Sequence, residues 1–366
     1  MDPGRNGETD SMDRVYDRSR RRFIAGGAAA LALPTVAGVA GADGRGGEDD
    51  GGTGDGDGLH AHDVTARDGL RLRVWERSPA DPDEAVLFVH GATYGGRSMF
   101  DPPVPEGYET WLRFAANRGQ AAFAVDVRGY GESERPPLEM RNGEPPVRAS
   151  QAACDVADAL AWIRDEGFDR VHLVGVSWGT NVAGTLFEEH DPAEYGIASL
   201  VQQAPVYDPS PELREEFAHD GTPYRTVTKP EVEERWNAQI PEGEEPAAWR
   251  GGDPGDDFVL DTVWEALHDS DQRAGDEEIL APNGTLEDVQ RAPVYDAGAI
   301  DVPTLVARPS LDTTSTREDA TGLYDALEVP DGRAEYAEFD GGTHMIHLER
   351  RRHALFDATD AFQGRS

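Results

Sequence analysis

Cysteine occurs once in the 366 residues, at Cys154. A single thiol excludes an intramolecular disulfide, a thiolate zinc cluster and an iron–sulfur site. Lysine is also single, at Lys229, so the 34 basic residues are otherwise arginine. They face 71 acidic residues, for a formal net charge of -37. A surface of that sign repels phosphates, which excludes nucleic acid as a partner. Long apolar runs are scarce too. The stretch from Phe23 to Ala42 is thinned by Gly26, Gly27, Pro34, Gly38 and Gly41, whereas a membrane span needs ~20 predominantly apolar residues. No stable span is expected. What the chain does have is seven Trp, ten Tyr and twelve Phe in a hydrophobic fraction of 38%. That is enough for one large core, or a core with a smaller lobe.

An acidic chain stays disordered only when aromatics are few and the apolar pattern is weak. Here the apolar runs are strong and regularly placed, so the acid must coat a folded surface. The preference for Arg over Lys among so many Asp and Glu resembles proteins of halophilic organisms. The physics agrees: at ~1 M salt the Debye length falls to ~3 Å and surface repulsion is largely screened.

Ser19-Arg20-Arg21-Arg22-Phe23-Ile24 precedes an Ala/Gly/Leu stretch that closes on Ala40-Gly41-Ala42. A basic start, a modest apolar segment and small residues at the end make a secretory signal over residues 1–42. The Ser-Arg-Arg-x-Phe-Ile order resembles a twin-arginine signal, an address read by export machinery that moves folded proteins. An exported protein is the expectation, with retention at the membrane as the alternative if the signal stays uncleaved. Residues 43–58 contain only Gly, Asp, Glu, Arg45 and Thr53. Such a segment cannot bury enough apolar surface to offset its ordering entropy, and it reads as a flexible tether. The folded part begins near Leu59.

From Val64 to Trp75 the pattern predicts two short strands around the turn signal Asp68-Gly69. Short continuous apolar runs, as expected of strands buried on both faces, follow at 85–89, 121–127, 171–174, 198–206, 304–307 and 334–339. Helical spacing lies between them at 109–117, 151–165, 178–188 and 318–327, and a last helix is expected from His347 to about Phe362. Alternation of this kind predicts an α/β fold with a mostly parallel, doubly wound sheet. In such sheets the chemistry sits in loops at the carboxyl ends of strands.

Several strand ends carry suggestive residues. Gly175-Val176-Ser177-Trp178-Gly179, between a strand and a helix, allows a sharp turn that holds Ser177 exposed above the sheet as a nucleophile. His90-Gly91-Ala92-Thr93 follows the first buried run. A backbone N–H there, assigned to Ala92, would pair with that of Trp178 as an oxyanion hole, with His90 organising the loop. Asp126-Val127-Arg128-Gly129-Tyr130-Gly131-Glu132-Ser133 follows the second run, and its charges are expected to hold a loop. Gly341-Gly342-Thr343-His344 follows the last run, which places His344 to act as general base; His347 is expected to be a packing or surface residue. Asp312, after the fifth run, is the candidate acid, with Asp208 as the alternative. Ser315 and Glu318 would form a capping box on the helix that follows Asp312.

Together these residues resemble the α/β-hydrolase superfamily over roughly residues 60–208 and 300–366. The resemblance implies the nucleophile–acid–base order Ser177, Asp312, His344. The Asp-x-Arg-Gly-x-Gly-x-Ser loop and the Ser-Trp-Gly elbow look like the branch of proline iminopeptidases and related esterases. Many relatives have glycine three residues before the acid; this chain has Pro309. Epoxide hydrolases and haloalkane dehalogenases are similar but use Asp as nucleophile, so their chemistry is disfavoured. The segment 209–299, with Trp236, Trp249, Phe258 and Trp264, resembles a cap inserted into a core of 59–208 and 300–366. It should be mainly helical, with helical spacing at Glu231–Asn237 and Phe258–Leu267.

The expected activity is a serine hydrolase acting on a small-molecule ester or amide, with no metal or organic cofactor implied. A proline iminopeptidase-like aminopeptidase is the alternative among enzymes. A non-catalytic binding protein on the same scaffold is the alternative outside them.

Overall fold

The computed structural model describes residues 58–366 apart from 138, 140–142, 272–276 and 331. The signal at 1–42 and the tether up to residue 57 lie outside the described residues.

The chain opens with β1 (His60–Thr65) and β2 (Arg71–Arg77), an antiparallel pair turned at Asp68-Gly69. Then come β3 (Glu84–Val89), α1 (Gly96–Phe100), α2 (Trp111–Asn117) and β4 (Gln120–Asp126). Next are α3 (Ala149–Asp165), β5 (Val171–Val176), α4 (Trp178–Glu189) and β6 (Ile197–Gln203). The inserted segment carries α5 (Pro211–Glu216), β7 (Tyr224–Thr228), α6 (Lys229–Asn237), α7 (Pro246–Arg250), α8 (Phe258–Ser270), β8 (Glu278–Pro282) and α9 (Gly284–Arg291). The chain closes with β9 (Thr304–Pro309), α10 (Arg317–Ala326), β10 (Ala334–Phe339) and α11 (Arg352–Gln363).

Among the described residues eight strands form one sheet, in the order β1-β2-β4-β3-β5-β6-β9-β10. From β4 to β10 the neighbours are parallel; β2 joins β4 antiparallel. The continuous apolar runs have a simple cause. Successive side chains of a strand point to opposite faces, and here both faces are covered. Ala85, Leu87 and Val89 of β3 pack with Val156 and Leu160 of α3 and Val182 of α4. Val86 and Phe88 pack on the other side with Trp111 and Phe114 of α2 and Leu355 and Phe356 of α11.

Three expectations are corrected. The fourth run ends as a strand at Gln203 rather than Val206, because Ala204 takes a positive φ of 49° and bends the chain away. The last helix is not continuous from His347. A 3-10 turn covers Ile346–Leu348, Glu349 is extended, and α11 starts at Arg352. Glu349 turns its carboxylate back to the Thr343 N–H at 3.1 Å, a contact that replaces helical continuation. The cap of α10 is Thr316, whose hydroxyl accepts the Asp319 N–H at 3.2 Å, and not Ser315. The Ser315 backbone serves the acid loop instead, donating to Asp312 and accepting from Arg308.

In the inserted segment the expected helices at 231–237 and 258–267 correspond to α6 and α8. An antiparallel ribbon of β7 and β8 accompanies them. Val227, Val232, Trp236, Val259, Val263 and Ile279 make a core of their own there, which also takes in Met345 and Leu348 from the loop after β10. No helix among the described residues is long and apolar enough to cross a membrane.

Candidate active site

The turn between β5 and α4 is forced by contact distances. A Cβ on Gly175 would lie 2.6 Å from the Gly179 carbonyl oxygen, and one on Gly179 would lie 2.3 Å from that of Val89. With both side chains absent, Ser177 occupies φ 55°, ψ -122°, a sparsely populated conformation held by its surroundings. Its N–H donates to the Gln203 carbonyl at 2.9 Å, and its carbonyl receives the N–H and hydroxyl of Thr180 at 2.9 and 2.6 Å. Trp178 is the first residue of α4, where backbone N–H groups have no partner within the helix. Its indole Nε1 donates to Asp288 of α9 at 2.9 Å, tying the elbow to the inserted segment. Asp288 also receives the Ala149 N–H at 2.7 Å and pairs with Arg148, and burial pushes its carboxyl upward.

His90 organises its loop, as the sequence suggests. Nε2 accepts the Val127 N–H at 3.2 Å, which puts the ring proton on Nδ1, 2.9 Å from the Gly91 carbonyl it donates to. Burial lowers its pKa to about 4, so the ring is neutral and fully engaged at neutral pH. Ala92 follows on the cavity wall, and Thr93 turns the chain with φ 80°. Asp126 gathers the Gly96 N–H (2.5 Å), the Glu132 N–H (2.9 Å) and the Trp75 indole (3.0 Å), while burial raises its pKa to about 6. Arg128 is paired with Asp155 at 2.6 Å. The charges of this loop are structural.

The loops after β9 and β10 are neighbours because their strands are. The Leu311 N–H donates to the Gly342 carbonyl at 2.9 Å, and the Gly341 N–H donates to the Ser310 hydroxyl at 2.9 Å. Asp312 is buried. Oδ1 accepts the N–H groups of Thr314 (2.8 Å) and Ser315 (2.9 Å), and Oδ2 lies 2.7 Å from His344 Nδ1. Arg308, at the end of β9, holds the loop by donating to the Asp312 and Ser315 carbonyls at 3.0 and 2.8 Å.

Ser177, Trp178, Ala92 and His344 line one cavity of about 380 Å³. Asp312 stands behind His344, and its neighbours Thr313 and Thr314 reach the wall. The alternative acid is elsewhere: Asp208 is exposed, pairs with Arg214 at 2.5 Å and gives its N–H to Asp319. His347 is buried and packs, with its ring stacked at 6.1 Å on Trp111.

The inserted segment supplies residues that sequence reading did not assign. The His344 N–H donates to Gln239 Oε1 at 2.9 Å. Glu349, buried and with its carboxyl pushed upward by burial, receives the Trp236 indole at 2.8 Å and the hydroxyl of Thr343, the residue before the histidine. Arg225 and Arg235 also face the cavity. No local signal marks such residues, since their roles exist only once the segment meets the loops after β5 and β10. Among the described residues no group of three or more His, Cys, Asp or Glu is placed to hold a metal ion.

Epoxide hydrolase 2 of Siraitia grosvenorii is 29% identical to this chain over 126 residues, covering 33% of this chain and 32% of that protein. The chain thus spans about a third of the length of the curated relatives it matches. A serine hydrolase of Cycloclasticus zankles superposes with a TM-score of 0.56 at 19% identity, covering 83% of this chain and 98% of that one. The enol-lactonase of Burkholderia xenovorans LB400 gives a TM-score of 0.57 at 16% identity, covering 83% of this chain and all (100%) of that one. At such identities the likeness is one of fold. The family described as "Alpha/beta hydrolase family" matches residues 86–358, from β3 into α11, and so takes in the sheet, the elbow and the inserted segment alike. The protein is a hydrolase-fold chain through that whole span, and it belongs to the alpha/beta hydrolase family.

Proposed function

We propose that this protein is a serine hydrolase that cleaves a carboxylic ester of a small molecule through an acyl-enzyme. The observation that carries the reading is the 2.7 Å contact of His344 Nδ1 with buried Asp312, on a histidine that shares its cavity with Ser177. The Ser177 hydroxyl attacks the carbonyl carbon as His344 Nε2 takes its proton. Asp312 fixes the tautomer with the other proton on Nδ1 and supports the imidazolium that forms. The N–H groups of Trp178 and Ala92 hold the developing oxyanion, each such donor typically being worth ~10²–10³ in rate. The alcohol leaves with the proton from His344, and water, deprotonated by the same histidine, releases the acid. Serine at position 177 supports this route over the aspartate ester used by epoxide hydrolases.

The experiment is a panel of short-chain esters beside proline amides in molar salt, on wild type and Ser177→Ala. Ester turnover that falls by at least ~10⁴ in the variant, with proline amides poor substrates, is the expected result. Equal or better cleavage of proline amides would replace the esterase reading by the aminopeptidase one. The Ser19–Ile24 order supports delivery of the folded enzyme by the twin-arginine export machinery.

A further inference from the structure

Besides His344, the charged side chains that line the cavity are Arg225, Arg235 and Glu216. In a chain with 71 acidic and 34 basic residues, a guanidinium has carboxylates in excess. Arginines elsewhere use them: Arg128 meets Asp155 at 2.6 Å, Arg77 meets Asp101 at 2.6 Å, and Arg250 meets Asp257 at 2.5 Å. Arg225 and Arg235 form no ion pair with a carboxylate among the described residues. Arg235 donates from Nε to the Glu231 backbone carbonyl at 3.2 Å. Arg225 donates from Nη1 to the Pro282 carbonyl at 2.8 Å and to Asn283 Oδ1 at 3.4 Å, and from Nη2 to the Thr93 hydroxyl at 3.1 Å.

These partners of Arg225 are neutral, and they leave two of the five guanidinium N–H groups, on Nε and Nη2, for a guest. Two donors are what a carboxylate takes in a bidentate pairing. Burial works most strongly against the charge on Arg225 and Arg235 nearby adds like-charge repulsion, while Tyr130 and Glu231 act the other way and offset only part of it. An incoming anion relieves both the burial cost and the repulsion. Glu216, the one carboxylate on the wall among the described residues, is exposed, whereas Arg225 is half-buried. The Thr93 contact also fixes where a guest would sit, since Thr93 directly follows Ala92 in the loop assigned to the oxyanion.

We infer that the cavity selects esters that carry a free carboxylate, gripped by Arg225 in the pocket beside the oxyanion loop, with Arg235 adding longer-range attraction. The inference rests on the serine-hydrolase reading for its chemistry but not for its binding. It adds no step to the reaction: the carboxylate is bound and released unchanged.

Turnover is tested with a glutarate monoester and a valerate ester of the same alcohol, matched in chain length. Wild type should favour the acidic ester in kcat/KM by roughly tenfold or more, mostly through KM, as expected for a charge-assisted pairing. Arg225→Gln should collapse that ratio toward one, and Arg225→Lys, which keeps the charge and loses the fork, should fall between. If Arg225 only braced Thr93, both esters would slow together and the ratio would hold, overturning the inference. Binding is read separately by calorimetry on Ser177→Ala with the same two esters. Tighter binding of the acidic ester sustains the inference even if turnover is absent. Equal binding, or equal turnover by wild type, overturns it while leaving the hydrolase reading in place.

Discussion

His347 lies three residues beyond His344 with its ring against Trp111 and Phe100. Both its ring nitrogens are buried without a hydrogen-bond partner among the described residues. Burial, and then the neighbouring charge of His344, push its pKa down to about 3. An unfolded chain takes up a proton on this histidine below about 6.5, while the native protein does not until about pH 3. Between those values the unfolded state binds more protons, so this residue's contribution to stability falls as pH falls. His90, lowered to about 4, acts in the same direction. Asp126 and Asp319, raised by burial to about 6, act in the opposite one, because the native state holds their protons longer. The total is a partial cancellation, so the term is best read as a difference. His347→Phe should gain on wild type by about 2 kcal/mol when denaturation is compared at pH 7 and pH 5. A stability difference independent of pH would show that the ring finds a partner for its proton.

Much of the site was legible residue by residue. Glycines 175 and 179 announce a turn that only side-chain-free positions allow, and His344 follows an apolar run near the end of the chain. Asp312 was preferred to Asp208 from its place after the fifth run, but what separates the two physically was not legible. It depends on strand order, since β9 lies between β6 and β10 and so sets its loop directly beside that of His344.

Among elements, the buried strands were readable because runs such as Ala85–Val89 are covered on both faces. The ends of elements were harder. Ala204 stops β6 by a backbone conformation that alanine does not advertise, and Glu349 stops helix growth by turning its side chain back to the Thr343 N–H. The inserted segment was legible as two helices and opaque as a partner of the site. Its α9 holds the Trp178 indole through Asp288, α6 holds Thr343 through Trp236 and Glu349, and Gln239 just beyond α6 holds the His344 backbone. The contacts that cross from this segment, Asp288 to Trp178, Trp236 to Glu349 and Gln239 to His344, join residues 105 or more positions apart. No periodicity in the sequence can show them.

For the whole molecule, the formal charge of -37 is the dominant global term. Ion pairs such as Arg67–Asp158 and Arg365–Glu335 consume arginines one at a time and leave most of the acidic excess facing solvent. Self-repulsion of that excess weakens as the Debye length shortens from ~10 Å at 0.1 M to ~3 Å at 1 M salt. We propose that the fold is tuned to high salt: Tm should climb steadily between 0.1 and ~2 M sodium chloride. A Tm as high in dilute buffer would show that local pairing already balances the charge.

The central claim concerns one oxygen atom, the hydroxyl of Ser177. A fluorophosphonate probe traps an activated serine by phosphonylation, and peptide mapping by mass spectrometry locates the adduct. In molar salt the adduct is expected on Ser177 alone, and no labelling is expected in Ser177→Ala or, at comparable rates, in His344→Ala. Labelling that persists in Ser177→Ala, or an adduct mapped to another residue, would contradict the account.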